Sequence, residues 1–211
     1  MMGLVKKDFY LAAGLARSYL IVAAIFLVLS LAGIYEFSFL SSFMSLLCIM
    51  LPVNVFSYDE QAKWDKYAAA LPGGRRAVVQ ARYVFTLIVS AGAVVLGGAV
   101  GAAACLLDPT AGETLWEMVL STAAGGSVGI LLNAVMLPLM FKFGVQKGRL
   151  YLALVLAILF GAFLGGVAAL ASAVQEPSAL ILPLAAIPAA GLLALVPSYF
   201  LSLRIFRKKD L

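Results

Sequence analysis

Residue types able to do chemistry are scarce in this chain, and they sit at the edges of long apolar runs. There is no His, and the two Cys are far apart: Cys48 inside one apolar run and Cys105 near the end of another. A Ser/His/Asp triad is therefore excluded, no metal-ligand spacing occurs, and no disulfide is expected. The phosphate-cradling order Gly-x-x-x-x-Gly-Lys-Ser/Thr does not occur. Gly144-Val145-Gln146-Lys147-Gly148 is basic and flanked by glycine but has the wrong order. Nothing at the polar edges suggests a carboxylate pair for acid–base hydrolysis. The expectation is a chain that is not an enzyme and binds no cofactor of its own.

The charged residues carry a different message. All 15 Lys and Arg fall in four clusters: Lys6, Lys7 and Arg17; Lys63, Lys66, Arg75, Arg76 and Arg82; Lys142, Lys147 and Arg149; Arg204, Arg207, Lys208 and Lys209. Pairs of apolar runs separate the clusters. The short connections inside each pair carry only acids: Glu36; Asp108, Glu113 and Glu117; Glu176. Threading the chain back and forth through a bilayer puts every basic residue on one face. Basic residues near span ends stay on the cytoplasmic side, so the pattern predicts six spans with both termini in the cytoplasm.

Hydrophobic residues make up 64% of the chain, against roughly 45–50% in ordinary soluble domains. The net charge of +5 follows from the positive-inside pattern, supplemented by contact with anionic lipid headgroups. Nucleic acid is not expected as a partner. The expected spans cover about 18–35, 37–57, 83–107, 115–141, 150–174 and 180–203. Each is near or above the ~20 residues that cross ~30 Å of hydrocarbon as helix. Lipid offers no partner for backbone N–H and C=O groups, so helix is the expected form, and the alternation of a β-barrel is missing. The fold class is thus an all-α integral membrane protein. Lys6 and Lys7 before an apolar run ending at Ser30-Leu31-Ala32-Gly33 mimic a signal peptide. The run from Tyr19 to Tyr35 is long for one, and a second span follows at once, which favours an uncleaved first span. In residues 1–17, Leu4, Phe9, Leu11 and Leu15 with the lysines suggest an amphipathic helix on the inner membrane surface; a solvated leader is the alternative.

The largest aqueous segment is the first inner loop, 58–82. Ser57 and Glu60 stand at capping-box spacing, good helix formers follow, and Pro72-Gly73-Gly74 stops them. Trp64, Tyr67, Ala68 and Leu71 fall at helical spacing on one face, with Asp59 and Lys63 at i, i+4 as weak support. The aromatic stripe either rests on the bilayer or docks a cytoplasmic partner, for which aromatic anchors are suited. The candidate docking residues are Glu60, Lys63, Trp64, Tyr67 and Leu71. No Asp, Glu, Lys or Arg lies in the central part of any span, which argues against ion-coupled transport. Asn54 and Asn133 do lie inside, either as interhelical glue or as polar residues of a translocation path. Gly97-x-x-x-Gly101, Gly125-x-x-x-Gly129 and Gly161-x-x-x-Gly165 let helices approach closely, within one subunit or between two. Pro52, Pro138, Pro183, Pro188 and Pro197 can kink or hinge their helices.

The block Phe56-Ser57-Tyr58-Asp59-Glu60, Lys63-Trp64-Asp65, Leu71-Pro72 and Val79 to Tyr83 resembles the first cytoplasmic loop of small bacterial type-2 ABC exporter permeases. The opening Leu4-Val5-Lys6-Lys7-Asp8 and the close from Ser202 to Asp210-Leu211 are similar too, as are the length and six-span layout. The chain is similar to permeases of phenol-soluble modulin exporters and of related peptide or bacteriocin-immunity exporters. The resemblance implies one membrane domain over 1–211, multi-pass in a bacterial plasma membrane, forming a dimer, either a homodimer or a pair with a related permease. Two copies of a separate ABC ATPase would hold ATP and Mg. The segment Glu60–Leu71 would be the coupling helix between spans 2 and 3, and 1–17 the interfacial helix. The cargo would be amphipathic or hydrophobic, an amphipathic peptide or a lipid-like molecule, moved outward by alternating access. No substrate-contacting residue carries over, and the chain departs from larger relatives in lacking an outer domain or a re-entrant helix between spans 5 and 6. The competing readings are a membrane scaffold or assembly subunit, and an ion-coupled carrier or channel without an ATPase.

Overall fold

A computed structural model describes residues 2–35, 37–70, 74–107, 115–173 and 181–208, and among these residues there is helix, with turns or bends at 32–35, 62–63 and 70, and no strand. Six helices follow in order: α1 (Met2–Leu31), α2 (Phe37–Gln61), α3 (Trp64–Ala69), α4 (Gly74–Leu107), α5 (Leu115–Ala173) and α6 (Ile181–Lys208). The first helix bends by 49° where Met2–Leu15 meets Arg17–Ser30.

The expected first inner loop is largely helix. α2 runs straight through Ser57–Glu60, so no helix starts there and the capping box does not form; those backbone groups are already inside the α2 ladder. α2 ends with Ala62 N–H on Tyr58 O at 3.0 Å and Lys63 N–H on Glu60 O at 3.1 Å. Lys63 then takes a left-handed conformation (φ 51°, ψ 34°). This break divides the helix expected over Glu60–Leu71, leaving the six-residue α3 as its remainder. Gly74, expected to stop that helix, opens α4 at φ 57°, so Arg75, Arg76 and Arg82 ride on the helix that becomes the next apolar run.

α5 has 59 residues and breaks at Gly144 (φ 79°, ψ 177°), a region of backbone space that glycine alone occupies readily. The break yields two arms, 115–143 and 145–173, each of a length suited to one crossing. Among the described residues, Gly74–Ala103 and Gly125–Tyr151 are long and apolar enough to cross a membrane, and the bent pair in α1 makes a third if counted as one span.

The main core lies where the basic clusters converge. Val53, Phe56, Val79, Leu137, Met140, Phe141 and Phe206 are buried together. Phe141 meets Phe56 edge-on at 5.0 Å and Phe206 at 5.3 Å, joining α2, α5 and α6. A smaller cluster of Ala12, Val55 and Phe85, with Phe9 edge-on to Phe85 at 5.1 Å, fastens the start of α1 to α2 and α4. A Cβ on Gly126 would collide with the Val94 side chain of α4, so small size there sets the α4–α5 approach. Large apolar side chains such as Leu20, Ile25, Val95, Ile158, Leu193 and Phe200 are exposed, the inverse of a water-soluble surface and suited to lipid.

Candidate functional site: the inner helix junction

Two adjacent acids at the end of α2 organise the junction. On a helix, neighbours point about 100° apart, so Asp59 and Glu60 reach different partners. Asp59 accepts from Lys7 Nζ at 2.5 and 2.7 Å through its two oxygens, and from Arg82 Nη2. Asp8 completes a quartet, with Lys7 Nζ at 3.3 Å from its Oδ1 and Arg82 Nη1 at 3.2 Å from its Oδ2. Asp8, Asp59 and Arg82 are buried, while Lys7 keeps a partly open edge. The Arg82 guanidinium lies 4.3 Å from the Phe56 ring centre and the Lys7 ammonium 4.7 Å from that of Trp64, cation–π contacts that partly replace lost hydration.

Two acids and two bases cancel, which is what permits four charges in so dry a place. The fit is unequal. Asp8 Oδ1 and Arg82 Nη1 reach ion-pair distance without an aligned hydrogen bond. Burial raises the Asp8 carboxyl above its ordinary 3.8; the Arg82 and Lys7 charges pull it back down, and the Asp59 charge adds to the rise.

Glu60 turns the other way. Its Oε2 accepts from the backbone N–H of Val145 at 2.6 Å. Val145 is the first residue after the Gly144 break, where a helix start leaves N–H groups without an intrahelical acceptor, and a carboxylate also suits the positive end of the helix dipole. A Cβ on residue 144 would lie 2.6 Å from Glu60 Oε1, so glycine both makes the break and leaves room for the cap.

α3 packs beneath this junction with one narrow face. Ala68 is fully buried and Trp64 packs on the main core, whereas Tyr67 is 68% exposed. Relative to Trp64, Ala68 lies about 40° to one side and Tyr67 about 60° to the other, and a six-residue helix against α4 buries only part of that arc. The expected stripe is thus divided. Trp64 and Ala68 face in; Lys63, Lys66 and Tyr67 face out. Leu71 lies outside the described residues.

A family model described as "ABC-2 family transporter protein" matches residues 3–207. The chain belongs to the ABC-2 transporter family. No curated protein and no solved structure matches it. Membership makes the chain a membrane permease subunit of an ABC transporter, a kind of subunit that works with a separate ABC ATPase.

Within this ABC-2 permease the two asparagines are bonded differently, one between helices and one within its own. Asn54 Nδ2 donates to Tyr19 Oη at 2.8 Å, joining α2 to α1. Asn133 Nδ2 donates to Gly129 O of its own helix at 3.2 Å and is buried. Farther along, Tyr83 Oη bonds Ser198 Oγ at 2.6 Å and Ser202 Oγ at 2.8 Å, and Ser198 donates to Ala134 O at 2.5 Å, so α4, α5 and α6 share one polar knot. Arg75 Nη1 donates to Phe206 O at 3.3 Å and Arg207 O at 2.5 Å, satisfying carbonyls at the end of α6. Sequence reasoning missed the quartet and the tyrosine knot. The signal available for the first was an Asp or Arg at the helical margin of each of three runs, but Lys7 and Asp59 are 52 residues apart and Arg82 and Asp59 are 23 apart, and nothing in a single sequence pairs them.

Proposed function

We propose that this permease is an exporter subunit with six spans and cytoplasmic termini, paired with a second copy of itself in a bacterial plasma membrane. Two ABC ATPase subunits, carrying ATP and Mg, dock on its inner face and drive an amphipathic peptide outward by alternating access. The observation that carries the reading is the divided α3. Its outer face offers Lys63, Lys66 and Tyr67, while its inner face is keyed into the core through Trp64 and Ala68. Such a helix suits a lever, because a partner can grip one side while the other moves the spans. Among the candidate docking residues, Glu60 acts through Val145 and Trp64 through the core. The apolar spans, without charge at membrane depth, suit a hydrophobic or amphipathic cargo and leave ion coupling without its usual groups.

The test is purification of the tagged chain from its own membranes. Recovery of a P-loop ATPase in equal amount supports the reading. The triple variant Lys63→Ala, Lys66→Ala, Tyr67→Ala should lose that ATPase, since removing one aromatic anchor costs about 2 kcal/mol, or about thirtyfold in affinity. Its thermal stability should match the wild type because all three side chains are exposed. Undiminished ATPase recovery from the variant, together with unchanged export, would refute the assignment of α3 as the docking element.

A further inference from the structure

Resting on that reading, we propose that Glu60 is the positioning residue that couples the docking helix α3 to the break in α5: its carboxylate, held on the Val145 N–H, makes the end of α2 and the α5 arm after Gly144 move together.

Several observations converge on one atom pair. The Glu60–Val145 bond spans 85 residues of sequence at 2.6 Å, short as a bond to an ionised acceptor should be. Gly144 takes a conformation that interrupts the α5 ladder, which leaves the next N–H in need of an acceptor from elsewhere. The absent Cβ at 144 is the space that Glu60 occupies. The α5 arm before the break already packs on α2 through Phe56 and Phe141; Glu60 supplies a polar tie to the arm after it. Asp59, the preceding residue, is fixed to α1 and α4 through Lys7 and Arg82. The last turn of α2 is therefore anchored on both sides, and Lys63 and α3 follow directly. A displacement of α3 reaches the 145–173 arm through one carboxylate.

Two measurements on the full-length permease in lipid nanodiscs test this. The first is amide hydrogen exchange at Val145. Glu60→Ala should speed it about tenfold or more, as loss of a hydrogen bond to a charged acceptor implies. Glu60→Gln should stay close to wild type because its amide oxygen accepts the same N–H. The second uses the complex with its co-purified ATPase and a Lys147→Cys reporter at an exposed position. Maleimide labelling in ATP-bound and nucleotide-free states should differ in the Glu60 background and in Glu60→Gln, and should become equal within twofold in Glu60→Ala. Unchanged exchange at Val145 in Glu60→Ala would overturn the tie. A Glu60→Ala complex with the full nucleotide response would overturn the coupling role while leaving the exporter reading intact. A wild-type chain that recruits no ATPase would overturn the exporter reading and this role with it.

Discussion

Replacing Arg82 with Met removes the guanidinium that faces both Asp8 and Asp59. The wild-type quartet is neutral: Lys7 and Arg82 contribute two positive charges, Asp8 and Asp59 two negative. Arg82→Met leaves one positive against two negative in a site where both carboxylates are buried. One ion pair at 4 Å is worth about 4 kcal/mol at an effective dielectric of 20; two are lost, and relief of the arginine's own desolvation offsets part. Removing one member of a buried pair costs about 3–5 kcal/mol in such settings. For a chain of this size that corresponds to a midpoint lower by about 6–20 °C, read as loss of monodisperse protein on heating in detergent. Neutralising Asp8 as well should restore much of the loss, because Arg82→Met with Asp8→Asn leaves Lys7 and Asp59 balanced. The cost of the single variant should also shrink at acid pH, where Asp8 takes up a proton more readily than an ordinary carboxyl. An Arg82→Met cost below about 1 kcal/mol, or no recovery in the double variant, would refute the reasoning that charge balance holds the junction together.

Other consequences are more local. Burial raises the Asp8 carboxyl above 3.8, so folding favours its protonated form; the stability it contributes is complete below 3.8 and is lost as pH rises through the raised value. Unfolding measured at a series of pH values should show that decline in the wild type, and Asp8→Asn should flatten it. Tyr83→Phe removes the hydroxyl shared by Ser198 and Ser202 and leaves buried Ser202 short of a partner; detergent unfolding should register about 1–2 kcal/mol. Ser202→Ala should cost less, since Tyr83 then keeps Ser198.

The sequence by itself determined the class of molecule. Apolar runs long enough to cross a membrane and basic residues confined to their margins are properties of composition and order. So is the block from Phe56 to Tyr83, whose resemblance to ABC permeases agrees with membership of the ABC-2 transporter family. The face of α3 was legible only in part, because spacing along a helix names an arc without saying how much of it a neighbour covers; Trp64 and Tyr67 fell on opposite sides of that limit. Tertiary structure decided the rest. Glu60 looks like a local cap at three residues from Ser57, yet its oxygen goes to Val145 because α2 continues through that turn and Gly144 opens a helix end within reach. Lys7, Asp8, Asp59 and Arg82 are unremarkable surface types in sequence, and they become one buried neutral cluster because three helices bring them to the same place. Hydropathy and charge order act through each residue's own transfer between water and lipid, which a linear chain records; ion pairs and caps depend on distances of a few ångströms between distant segments, which only packing sets.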